Sequence, residues 1–140
     1  MKTIIIAALA ALSAGSALAQ EAVQGGPATN VPLLEGATAA PDCGGLSVTP
    51  DRAYCITAPL VNMQAVGEAY IALFQAEGWQ PVAGDANYVI FARRKADGQC
   101  EGLQMLAFYD TAAPNSPTAP GYLGFGAVPT MPCADRTAAQ

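Results

Sequence analysis

The chain has 140 residues, with 6 lysines and arginines against 11 aspartates and glutamates and a formal net charge of −5. That balance argues against nonspecific binding to nucleic acid or to anionic membranes, both of which want a positive field. The sequence holds no histidine, which excludes Ser-His-Asp or Cys-His catalysis and any His-based metal site.

The chain opens MKTIIIAALAALSAGSALAQ. Lys2 gives a short positive start, residues 4–12 an apolar run, and Ala17-Leu18-Ala19 the small-residue cleavage pattern of a secretory signal. The run is too short for a membrane span, and the first cysteine is Cys43, so no lipid attachment follows the cleavage pattern. The expectation is a signal peptide over 1–19 of bacterial type and a mature protein that is periplasmic or secreted, with no membrane span. Losing Lys2 makes the remainder one unit more negative still.

Residues 20–41, rich in Ala, Gly, Pro and Thr without periodicity, read as a flexible segment ahead of the fold. Val31-Pro32-Leu33-Leu34 is the one apolar patch in it with the makings of a docking point. A single domain is expected over 42–140. Residues 46–49 and 53–57 flank Pro50-Asp51, a turn pair, and read as a first hairpin.

Residues 62–77 are the clearest helix. Met63, Val66, Tyr70, Leu73 and Phe74 make one apolar stripe. Pro59 stands upstream, Gly78 where a left-handed C-cap is wanted, and Trp79 where it can fold back on the last turn. Glu68 and Glu77 are nine residues apart, on opposite sides of such a helix, and so are no catalytic pair. Strands are predicted over 80–83, 88–94, 103–109 and 122–128. One helix among these strands predicts an α+β fold: a two-layer domain with one helix packed on a mainly antiparallel sheet, preceded by a short disulfide-closed hairpin.

Cys43, Cys55, Cys100 and Cys133 are widely spaced, with no CxxC pair. In an exported chain that reads as disulfides ahead of a zinc site. Three pairings are open. Asp97-Gly98 is a two-residue hairpin signal that sets Arg94 across from Glu101 and Arg93 across from Gly102. If Cys100 and Cys133 lie directly opposite, Phe108 meets Phe125 and Leu106 meets Ala127. That apolar match favours Cys100–Cys133, leaving Cys43–Cys55 to close the first hairpin.

These registers sort the sheet into two faces. Val89, Phe91, Leu106, Phe108, Leu123, Phe125 and Ala127 make a face for the helix. Tyr88, Ile90, Arg94, Leu103, Met105, Ala107, Tyr109, Tyr122 and Val128 make the other, with Gly124 and Gly126 among them. A solvated face should be polar, and this one is apolar with three tyrosines. Either residues 42–57 or the lead segment pack across it as a third layer, or it is a recognition surface. The binding candidates are Tyr88, Ile90, Arg94, Met105, Tyr109 and Tyr122.

No P-loop, GxGxxG or calcium-loop spacing is present. Asp85 and Asp110 are the carboxylates best placed for acid–base work, but nothing pairs them. The sequence thus points to a non-enzymatic binding module without cofactor or metal, recognising a protein partner in the cell envelope. A carrier of a small apolar or aromatic ligand and a homodimeric structural protein are the alternatives.

Overall fold

The computed structural model of the protein describes residues 25–28 and 30–133; the expected signal peptide lies outside them. In chain order the elements are β1 (Thr38–Ala39), β2 (Tyr54–Pro59), α1 (Met63–Ala76), β3 (Gln80–Asp85), β4 (Tyr88–Arg94), β5 (Cys100–Tyr109) and β6 (Pro120–Met131). The six strands form one sheet in the order β1-β2-β6-β5-β4-β3. Every neighbouring pair is antiparallel. With α1 on one face, this is the α+β architecture the element order implied.

Helix α1 forms where its stripe predicts. Val66, Tyr70 and Phe74 are buried, and Met63 and Leu73 pack at the margin. The stripe lands on an aromatic cluster: Tyr70 and Phe125 have ring centroids 4.8 Å apart, Phe74 and Phe91 5.4 Å, and Phe74 and Phe125 5.9 Å. Each such ring contributes about 1.5–3 kcal/mol by burial. A 3₁₀ turn over Leu60–Asn62 follows Pro59 and leads into the helix. At the other end Gly78 is left-handed (φ +88°), and Trp79 donates its N–H to the Phe74 carbonyl at 2.9 Å. This brings the indole down onto the last turn, where it is buried.

Both favoured disulfides are present, Cys43–Cys55 and Cys100–Cys133, with Cα separations of 5.2 and 5.1 Å. The first closes a hairpin whose arms are β1 and β2. Thr38 pairs with Thr57 and Ala39 with Ile56. The turn at Pro50-Asp51 does form, with Arg52 N–H bonded to Thr49 O at 3.0 Å. Residues 46–49, expected as the first arm, are instead part of the loop that this disulfide staples to the sheet. Leu46–Thr49 has a turn and a crosslink on either side, so the closure is met without strand pairing there.

The β4–β5 register differs from expectation by one residue: Arg93 pairs with Glu101 and Arg94 with Cys100. Asp97-Gly98 is not a two-residue turn. Lys95 N–H donates to Gln99 O at 2.7 Å, and Gly98 N–H to Lys95 O at 3.0 Å. The connection is therefore a three-residue loop, 96–98, ending on Gly98 at φ +84°. A type I turn followed by a left-handed glycine has this form.

The β5–β6 register also differs. Phe108 pairs with Tyr122, Leu106 with Gly124 and Met105 with Phe125. Cys100 faces Met131, and the register shifts between Cys100 and Gly102, so its disulfide reaches Cys133 beyond the strand rather than straight across. Because side chains alternate, these shifts turn β5 over relative to the expectation. Leu103 and Met105 are buried beneath α1 with Ala107 beside them. Leu106 and Phe108 belong to the second face.

Residues 25–28 and 30–37, read above as flexible, are bound along the domain. Gly25 N–H bonds to Ala127 O at 2.9 Å, Ala127 N–H to Gly26 O at 3.0 Å and Ala28 N–H to Phe125 O at 3.0 Å, which extends the sheet beyond the start of β2. Val31, Leu34 and Ala37 then pack on the main core. The Tyr70 hydroxyl donates to Pro32 O at 2.9 Å and accepts from Leu34 N–H at 3.3 Å. This strap covers the gap between α1 and β2 that a single helix leaves open.

Candidate functional site

The second sheet face is covered over only part of its width. The loop held by Cys43–Cys55 forms a small core of Ala40, Cys43, Ala53 and Cys55, against which Val48, Phe108 and Tyr122 pack. Phe108 and Tyr122 stack with centroids 5.4 Å apart. The loop lies so close that a Cβ on Gly44 would sit 2.5 Å from the Tyr122 ring. A Cβ on Gly124 would be 3.3 Å from that of Ala53, and one on Gly126 3.3 Å from Arg52 O. The glycines of this face thus admit the chain's own loop.

Past the loop the described residues leave the face open. Tyr88, Ile90 and Leu106 are half-buried and form an apolar patch over β4 and β5, with Arg94 exposed at its rim. Tyr88 is opposite Leu106, and Ile90 opposite Gln104. Between this patch and the loop runs a groove of about 260 Å³, whose lining includes Val48, Arg52, Ala53, Gln104, Leu106 and Val128. Arg52 is its one charged lining residue. Among the described residues, the ion pairs within 4 Å are Arg93–Glu101 and Lys95–Asp97, so Arg52 is left without one.

The six predicted binding residues divide. Tyr88, Ile90 and Arg94 share the open patch. Tyr122 is on the same face but under the loop. Met105 is a correction: it is buried beneath α1, because β5 is turned over. Tyr109, at the end of β5, follows the register of Met105, is 47% exposed, and borders a separate cavity of about 100 Å³ with Pro114. Leu106, Gln104 and Arg52 were missed. Gln104 held the signal: it shares its parity with Leu106 and Phe108, and the face assigned to those two was to lie under the helix. An unpartnered amide there would be costly.

The basic cluster at the end of β4 also divides by face. Arg93 contacts Glu101 through Nε and Nη2 at 3.1 and 2.9 Å, lies 4.3 Å from the Trp79 ring, and donates to Glu77 O at 3.4 Å. It ties the helix end to the sheet. Arg94, expected opposite Glu101, donates instead to Gly98 O at 2.8 Å within the hairpin. Two titrations are perturbed. Burial pushes the Tyr70 hydroxyl above its ordinary value, partly offset by the Leu34 N–H bond. The Thr49 hydroxyl holds Asp51 below the usual carboxylate range.

No family model, curated protein or solved structure matches the chain. The two disulfides fit an oxidising compartment. Among the described residues no helix is long and apolar enough to cross a membrane.

Proposed function

We propose that the protein is an exported, non-enzymatic binding module, periplasmic or secreted, that recognises a protein partner in the cell envelope as an accessory or inhibitor. The observation that carries this reading is the open patch of Tyr88, Ile90 and Leu106, left uncovered by the described residues on a sheet whose other face packs a helix and a strap. Tyrosine and branched apolar side chains give large contact area, and an arginine at the rim can orient an acidic group on the partner. The absence of histidine from the sequence removes the commonest general base. A second reading, carriage of a small apolar or aromatic ligand, is favoured by the neighbouring groove with Arg52 and Gln104 in its wall.

Native mass spectrometry of the protein taken from its own source, wild type beside Ile90→Glu, separates these readings. A copurifying chain lost in Ile90→Glu supports the module, and a retained small mass supports the carrier. A homodimer broken by the same substitution would place the patch in a structural self-interface instead.

A further inference from the structure

A sheet of six strands at about 4.8 Å spacing is about 24 Å across, while one helix is about 10–12 Å thick. On the β2 side of α1 the strap fills the difference. On the β4 side the described residues leave a groove of about 210 Å³, walled by Met63, Ile71, Val89 and Ala107 and bordered by Glu68 and Asp85. Both carboxylates are exposed, and no arginine or lysine lines the groove. The cluster of Arg93, Arg94 and Lys95 begins at the far end of β4, about 17 Å from Tyr88 at the strand rise of ~3.3 Å per residue.

Gly67 faces this groove from the interior of α1. Its backbone is not left-handed, and a Cβ there would meet nothing within 4 Å. Neither conformation nor internal packing requires glycine at this position, yet glycine weakens a helix relative to alanine. A local choice that opposes the fold is expected where function sets the residue. Glycine lets another chain approach the helix backbone closely.

We infer that this groove, on the α1 side of the sheet and sharing with the patch only Tyr88 at its end, docks a basic amphipathic segment of a partner protein, with its apolar side chains against Ile71 and Val89 and its lysines or arginines at Glu68 and Asp85. Charge sets the choice of occupant: both charged residues that line the groove are anionic, and the chain's net charge of −5 draws a cationic partner from a distance.

The test is a titration of the isotope-labelled full chain with an amphipathic leucine–lysine peptide of about four helical turns, beside its leucine–glutamate counterpart, followed by amide shifts. The expected result is shifts centred on residues 67–71, 89 and 107, with affinity for the glutamate peptide about tenfold or more weaker, the scale of two rim ion pairs. Gly67→Leu, which fills the groove from an open position, should abolish those shifts. Ile90→Glu, on the other face, should leave them unchanged, so loss of the patch reading does not carry this one with it. Equal binding of the two peptides, shifts elsewhere, or binding that survives Gly67→Leu would overturn the proposal. Concentration-dependent self-association abolished by Gly67→Leu would also overturn it, in favour of a second copy as occupant.

Discussion

Replacing Tyr70 by phenylalanine isolates what the strap contributes. The Tyr70 ring is fully buried, with its centroid 4.8 Å from that of Phe125, and phenylalanine keeps that packing. What is lost is one hydroxyl that bonds twice to the strap, to Pro32 O at 2.9 Å and from Leu34 N–H at 3.3 Å. Two backbone groups at a part-buried site then lose their partner, at a cost of about 1–2 kcal/mol, or a fall in Tm of roughly 5–10 °C for a domain of this size. Thermal unfolding followed by circular dichroism reads the cost, and hydrogen exchange should show faster opening at Leu34 in particular. The same hydroxyl gives a pH test. Its pKa is raised in the fold from 10.0, so the neutral form is favoured there. The associated stability is present below about pH 10 and is lost as pH rises through the folded value. Tyr70→Phe should therefore flatten the alkaline arm of the stability curve. An unchanged Tm together with an unchanged alkaline arm would refute the strap as a structural element.

Three further substitutions probe the frame around the site. Gly67→Ala should stabilise the domain by about 0.5–1 kcal/mol, read in a denaturant titration, since its Cβ enters open space. Arg93→Ala should cost about 1 kcal/mol and shift Trp79 emission; the loss comes mainly from the ring contact at 4.3 Å, because the ion pair to Glu101 is partly exposed. Removing Cys43–Cys55 by double serine substitution should cost about 3 kcal/mol by loop entropy for its separation of 12 residues. It should also raise exchange over 43–53 and expose Tyr122 to solvent, while leaving Tyr70 protected.

The helix, its end at Gly78 and the presence of disulfides were legible from local signals, whereas the pairing of Cys100 with Cys133 was reached through a register that the structure replaces. Met63 to Phe74 repeat at helical spacing, a glycine follows the last turn, and the cysteines pair by number and context. The faces of β5 were not legible, because parity depends on counting loop residues. Gly98 serves a two-residue and a three-residue turn equally well, and the sequence does not tell them apart. Assuming Cys100 and Cys133 to lie directly opposite then confirmed the wrong parity with a plausible apolar match, and Met105 went to the wrong face. The strap was legible only at Val31-Pro32-Leu33-Leu34, whose Val31 and Leu34 pack on the core; the rest of it was not, for a different reason. It is held by backbone bonds to Phe125 and Ala127 and by one tyrosine hydroxyl, contacts that leave no periodic side-chain pattern. Of the candidate site, Tyr88, Ile90 and Arg94 were found from alternation along β4 alone, the strand whose own boundaries were read without error.

The central claim is that the uncovered patch on β4 and β5 meets another protein. Placing a photoreactive side chain at Ile90 in the full chain expressed in its own source, with Ala69 on the exposed flank of α1 as control, tests it directly. The account predicts a covalent adduct with a different protein from position 90 and none from position 69. Adducts only with a second copy of the chain, equal adducts from both positions, or none from position 90 would contradict it.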